Sequence, residues 1–216
     1  MHIKSVFKNL PYQIKQPIKY LYGAVPPSIR LGKAYWQTYH FLQESQWWSE
    51  EKLKAYQMEQ LEKLLRHAYE NVPYYKRIFT ERGLKPKDIQ DFNDLQKLPC
   101  ITKDDIKNNI KELTAQNFPE SKLEYKTTGG STGIPMGFYQ EKYLTEQKEQ
   151  AFIVNHWERV SFVLGARTAV FEGKVIHSKK GEGYWKYNPV EKRLMLCVYN
   201  MTNDNLSRYV DKIHRF

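Results

Sequence analysis

Between residues 125 and 137 the chain sets Gly129, Gly130, Gly133 and Gly137 among Thr127, Thr128, Ser131 and Thr132, and stiffens the run with Ile134 and Pro135. Glycine at that density belongs neither in a helix nor in a sheet interior, because each one loses more backbone freedom on ordering than any other residue. The stretch is a loop, and its neighbours must be arranged to present it. Leu123, Tyr125 and Thr127 alternate with Glu124 and Lys126, and residues 136–140 alternate likewise, so the spacing predicts strand, glycine loop, strand. Glycine backbones let N–H groups approach a ligand closely, and the hydroxyls of Thr127, Thr128, Ser131 and Thr132 can donate to anionic oxygens. Each such bond to a charged phosphate contributes about 1.5 to 3 kcal/mol. The pattern predicts a phosphate cradle in which Thr128, Gly130, Ser131, Thr132 and Gly133 make the contacts and Thr127 and Gly129 flank them. The competing reading is a flexible Gly/Ser surface hairpin, to which the rigid Ile134 and Pro135 ending would add nothing.

Two better-known phosphate loops are excluded. A Walker A loop needs a Gly-Lys pair separated from its first glycine by four residues and a helix after it; no such pair follows Gly129 or Gly130. A dinucleotide fingerprint fails because Ser131 stands where its second glycine would be, counting from Gly129.

The elements around the loop read as mixed α and β. Residues 1–48 are aromatic and basic, broken by Gly23, Pro26 and Pro27, and predict short helical pieces around an irregular link. Ser49 is placed as an N-cap with Glu50 and Glu51 behind it, and the apolar series Leu53, Tyr56, Leu61, Leu64, Leu65, Ala68, Val72 predicts about six helical turns ending before Pro73. A second helix runs from Pro73 to a stop at Gly83. Residues 85–89 and 92–95 read as turns that bury an apolar side chain or two, and Thr102 with Asp105 forms a capping box for a helix reaching about Asn109. After the loop the pattern predicts a helix over 141–160, a buried strand over 167–173, a solvent-facing basic and aromatic loop over 174–189, a strand over 193–199, and a helix capped by Thr202. His156 beside Trp157 reads as a packed or capping histidine rather than a general base.

Charge and composition restrict the partners. Hydrophobic residues at 41% and charged residues at 27% are ordinary for a globular chain of 216 residues. The formal charge of +10 is concentrated early, since Lys4, Lys8, Lys15, Lys19, Arg30 and Lys33 all precede Glu44, the first acidic residue. Such an arm suits weak peripheral contact with an anionic membrane, or a solvated extension. Lys179, Lys180 and Lys186 among Tyr184, Trp185 and Tyr187 would suit single-stranded nucleic acid, but the stretch is short and unrepeated, so no specific nucleic acid is expected. Cys100 and Cys197 lie far apart without ligand-spaced neighbours and read as buried thiols of a reducing, cytoplasmic compartment. No metal-ligating set and no apolar run of membrane-spanning length is evident.

The run Thr128, Gly129, Gly130, Ser131, Thr132, Gly133, Ile134, Pro135 resembles the phosphate-binding motif of the adenylate-forming superfamily, usually Thr-Ser-Gly-Ser/Thr-Thr-Gly-x-Pro-Lys. It departs at Gly129, where a hydroxyl residue is common, and at Met136, where many members carry lysine. Residues 67–76, with Val72, Pro73, Tyr74 and Tyr75, together with Leu98, Pro99 and residues 101–104, resemble the phenylacetate–CoA ligase and CapK-type branch. Tyr74, Tyr75 and Lys103 are read as core aromatics and a surface charge that mark the family without doing its chemistry.

That resemblance implies an α/β fold of mixed α+β character: a basic aromatic extension (1–48), a helical N-terminal region (49–120), and the first part of a large layered α/β adenylation (AMP-binding) domain (121–216) carrying the phosphate loop at 127–136. It implies an ATP-dependent ligase that joins a small-molecule carboxylate to AMP and passes the acyl group to coenzyme A or another acceptor, with Mg2+ as cofactor, in a setting such as capsular or surface polysaccharide synthesis. Relatives of this kind are about twice as long, so a truncated chain, inactive by itself, is expected. Alternatives are a non-catalytic interaction remnant of the same fold and a basic surface-binding protein. The acyl pocket and catalytic residues are not visible in these residues.

Overall fold

The computed structural model describes residues 10–129, 135–176 and 183–216. Gly130, Ser131, Thr132 and Gly133 of the expected phosphate loop, and Lys179 and Lys180, lie outside the described residues. The described chain is mixed α+β, with long helices and two small sheets. It divides into two compact units, residues 34–153 and the described residues up to 33 together with 154–216.

Helices α1 (Tyr12–Ala24), α2 (Pro27–Arg30) and α3 (Gly32–Ser45) are the short pieces expected of the first 48 residues. Helix α4 (Glu50–Asn71) starts where Ser49 accepts the Lys52 N–H and carries Glu50 and Glu51 in its first turn, next to the positive end of the helix dipole. Pairs such as Glu50 with Lys54 and Glu62 with Arg66 brace its exposed face, each worth a few tenths of a kcal/mol. Pro73 ends α4 and begins α5 (Pro73–Glu81). Gly83, at φ +63°, closes α5 with a paired bond: its N–H reaches the Thr80 carbonyl, and the Leu84 N–H reaches Phe79. That arrangement satisfies carbonyls the helix end would leave orphaned.

The core of this unit is Leu65, Phe79 and Ile89, with Leu61, Tyr69, Leu84, Leu95 and Leu98 packed around it. Ile89 and Leu95 come from the punctuated segments, where the 3-10 turns Pro86–Asp88 and Asn93–Lys97 turn each apolar side chain inward. Helix α6 (Lys103–Asn108) follows with the expected capping box: Thr102 N–H donates to the Asp105 carboxylate at 2.8 Å, and Asp105 N–H to the Thr102 hydroxyl at 3.1 Å. The unit's sheet is an antiparallel hairpin of β1 (Leu123–Thr127) and β2 (Gly137–Glu141). Helix α7 (Leu144–Trp157) is shorter than the expected 141–160, because Tyr143 takes a left-handed φ of 66° before it and its end tightens into a 3-10 turn over Glu158–Val160.

In the other unit, β5 (Arg193–Cys197) is the central strand, parallel to β3 (Thr168–Glu172) and antiparallel to β4 (Trp185–Asn188). Helix α8 (Asn203–His214), capped by Thr202, lays Tyr209 onto Leu194 and Leu196, with Tyr184, Trp185, Leu206 and Phe216 closing the cluster. The Tyr209 hydroxyl donates to the Cys197 carbonyl at 2.9 Å, and burial pushes its pKa above the usual range for a phenol.

Three expectations are corrected. The expected loop over 174–189 contains β4: Trp185 and Tyr187 alternate with Lys186, and Trp185 packs against the Leu194, Leu196 and Tyr209 cluster rather than facing solvent. The expected buried strand β3 is an edge strand whose residues Ala169 and Phe171 are exposed. Cys100 is exposed; only Cys197 is a buried thiol, and its S–H donates to the Asn200 side-chain carbonyl at 3.1 Å.

Candidate functional site

The glycine loop springs from the open end of the β1–β2 hairpin. Five cross-strand pairs run from Leu123 with Glu141 to Thr127 with Gly137 and fix the register at its mouth. The ladder then continues one step: Thr128 N–H donates to the Met136 carbonyl at 2.9 Å, while Met136 N–H donates to the Thr128 hydroxyl oxygen at 3.0 Å. Thr128 therefore holds the loop's two ends together by backbone and side chain at once. Since its oxygen accepts, the hydroxyl proton is left to donate, and no acceptor takes it among the described residues. Gly129 is exposed, and a Cβ added there would meet nothing within 4 Å. The space above the start of the loop is open.

Of the sequence-predicted site residues, Thr127, Thr128 and Gly129 stand together at this mouth, all exposed. By the two-residue period of a strand, Thr127 shares the face of Leu123 and Tyr125. The lysine that the resemblance leads one to expect at 136 is a methionine here. Lys126, the closest described cation in sequence before the loop, is committed to Glu124 at 3.2 Å and stands 3.9 Å from Glu146. Among the described residues at this mouth, the Thr128 hydroxyl is a hydrogen-bond donor available to an anion. Among the described residues no three His, Cys, Asp or Glu side chains gather to hold a metal, so the Mg2+ implied by the resemblance finds no ligand set there.

Sequence reasoning missed a cleft beneath the hairpin. It has a volume of about 330 Å3 and is lined mainly by apolar side chains, among them Ile106, Ile110, Leu113, Phe118 and Leu123, with His67, Thr114 and Glu141 as its polar members. Two backbone bonds seat the wall formed by residues 109–118 beside the junction of α4 and α5: Tyr74 N–H to the Glu112 carbonyl and Gln116 N–H to the Asn71 carbonyl. The His67 ring lies edge-on to Phe118 and its Nδ1 is 3.4 Å from the Asn71 amide nitrogen. The spacing of Ile106, Ile110 and Leu113, four then three residues, was the signal that could have located this wall. Of the hairpin's residues, Gly137 belongs both to the loop's rim and to the cleft's lining.

His156 is exposed in the last turn of α7, and Tyr74 is buried with its neighbour Tyr75 half-buried; burial pushes the Tyr75 hydroxyl's pKa up. Neither tyrosine lines the cleft. Among the described residues no helix is long and apolar enough to cross a membrane.

No family model matches the chain. It is 30% identical to Protein CapK of Staphylococcus aureus over an alignment that takes in 100% of this chain and 45% of that protein. It is 39% identical to a phenylacetate-coenzyme A ligase of Escherichia coli (strain K12), and 36% to one of Aromatoleum evansii, each across 40% of this chain and 20% of the ligase. The chain thus spans under half the length of CapK and aligns with about a fifth of each ligase. The chain is a homologue of Protein CapK and of the phenylacetate-coenzyme A ligases, the branch to which its residues 67–76 and 98–104 pointed.

Proposed function

We propose that this chain supplies one wall of the nucleotide site of an ATP-dependent, adenylate-forming ligase. The observation that carries the reading is the Thr128–Met136 closure, which presents a glycine and hydroxyl loop between antiparallel strands, with open space over Gly129. In this reading Thr128, Gly130, Ser131, Thr132 and Gly133 donate to the phosphate oxygens of ATP, with Thr127 and Gly129 at the flanks. Fixed donors of this kind stabilise charge without reorganising as the reaction proceeds. A small-molecule carboxylate attacks the α-phosphorus, the bond to the β-phosphate oxygen breaks, and acyl-AMP and pyrophosphate result. Coenzyme A or another acceptor then takes the acyl group and releases AMP.

Residues 49–120 would form the helical region ahead of the adenylation domain and 121–216 a part of that domain, in a cytoplasmic protein of capsular or other surface polysaccharide assembly. The Mg2+ that such chemistry uses has no ligand set among the described residues. Met136, in place of the usual lysine, favours a second reading in which the fold is kept for interaction and not for catalysis.

Carboxylate-dependent exchange of labelled pyrophosphate into ATP, measured on the chain joined to whatever completes it, separates the two. Exchange that disappears in Thr132→Ala and Gly133→Val, with an unchanged circular dichroism spectrum, is expected. Absence of exchange across a panel of aromatic, aliphatic and sugar carboxylates would support the non-catalytic reading.

A further inference from the structure

Helix α1 is packed with its apolar stripe outward. Ile14, Ile18 and Leu21 recur at steps of four and three residues and so share one face. They are 49%, 37% and 72% exposed. Gly23, about two and a half turns from Ile14 and so on the opposite face, is buried, and a Cβ there would strike the Pro189 carbonyl and crowd Val190. Arg30, donating to the Val190 carbonyl at 2.8 Å and to the Val25 carbonyl, fastens the end of this segment to the same turn. The glycine face is thus the one that the fold uses, and three large aliphatic side chains are left facing out. Ile29, 72% exposed, and Tyr20 and Tyr22, each about half exposed, add to the apolar surface of the segment.

The charges around the stripe favour one kind of occupant. Lys15 and Lys19 lie half-buried along one side of it, and no acidic residue occurs in the chain before Glu44. The cores of protein interfaces are depleted in lysine, whereas a helix lying in a lipid headgroup layer combines an apolar face with flanking lysines whose stems lie along it and whose ammonium groups reach the phosphates. Tyrosines near the rim suit the same boundary between hydrocarbon and water. We infer that α1 lies flat on an anionic lipid surface, with Ile14, Ile18 and Leu21 entering the acyl boundary and Lys15 and Lys19 meeting lipid phosphates.

Co-sedimentation of the whole chain with vesicles of equal phosphatidylglycerol and phosphatidylcholine, and with vesicles of phosphatidylcholine alone, tests this. Binding to the anionic vesicles is expected, weakening as salt rises toward about 1 M, where screening acts within about 3 Å. The double variant Ile14→Gln with Leu21→Gln should lower partitioning at least about tenfold, and both positions are exposed enough for its circular dichroism and thermal midpoint to stay unchanged. Lys15→Gln with Lys19→Gln should bind the anionic vesicles more weakly and show a shallower salt dependence. Failure to sediment with the anionic vesicles overturns the inference, as does equal binding by I14Q/L21Q. So does a stable dimer in analytical ultracentrifugation that I14Q/L21Q dissolves, since a second copy would then cover the stripe.

Discussion

The Tyr125 ring lies over Gly137, so that a methyl group added at Gly137 would collide with the tyrosine hydroxyl, and its ring centroid stands 5.4 Å from that of Tyr139 across the hairpin. Tyr125 is 53% exposed and can swing away, so Gly137→Ala should not unfold the hairpin. It should displace Tyr125 from Tyr139 and cost about 1 kcal/mol. In a double-mutant cycle by urea denaturation, adding Tyr125→Ala to Gly137→Ala should cost much less than Tyr125→Ala does alone. Additive effects would show that the two positions do not meet.

Thr128→Val removes the oxygen that accepts the Met136 N–H while keeping the side chain's shape. Stability should fall by about 0.5 to 1.5 kcal/mol, and Thr128→Ser should restore most of it. If the loop binds nucleotide, Thr128→Val should also weaken ATP more than this stability loss explains, measured by isothermal titration at a temperature where both variants are folded.

Tyr209→Phe deletes the donor to the Cys197 carbonyl inside the β5 and α8 core and should cost about 1 to 3 kcal/mol. A pH signature accompanies it. The folded pKa of Tyr209 is raised, mainly by burial, so its contribution is complete below the ordinary phenol value of about 10 and is lost as pH rises through the folded value. Unfolding free energies measured from pH 8 upward should fall more steeply in the wild type than in Tyr209→Phe.

At the acid end, hydrogen bonds from the Thr102 side chain and backbone hold the Asp105 carboxyl below its usual range. With the folded value depressed, the carboxylate's contribution is present above about pH 4 and lost as pH falls through the folded value. Thr102→Ala, which removes part of that stabilisation, should flatten the acid limb of the stability curve; an unchanged limb would place the acid sensitivity elsewhere.

Thiol counting should separate the two cysteines. Cys100 is exposed and Cys197 fully buried. A disulfide reagent should titrate one thiol rapidly in the native chain and the second only in denaturant, and Cys100→Ser should abolish the fast phase.

How far the sequence could be read varied with the kind of signal. The Ser49, Pro73, Gly83 and Thr102 boundaries were legible because each rests on local chemistry: a cap, a fixed φ, a left-handed turn or a capping box. The hairpin was legible from alternation alone. Strand β4 was not, because Lys186 and the nearby glycines resemble a loop until Trp185 is seen packed on the core of α8 and β5. The exposure of β3 likewise depends on its position at the sheet's edge, which an apolar run in sequence does not reveal. Cys100 was misplaced for the same reason: a small thiol is usually buried, but this one sits just ahead of a surface cap. At the candidate site the loop's residue types could be named in advance, but the cleft could not, since it is made by segments around residues 67, 110 and 138 that meet only after folding.

The placement of β3 bears on how the chain behaves in a tube. Its outer rim pairs with no strand among the described residues, and it presents Ala169 and the half-exposed Phe171. A bare rim of that kind is a template for any extended segment that can align with it. Expressed by itself, the chain should lose material to fibrous or amorphous precipitate at high concentration, and a single lysine at position 171 should keep more of it in solution.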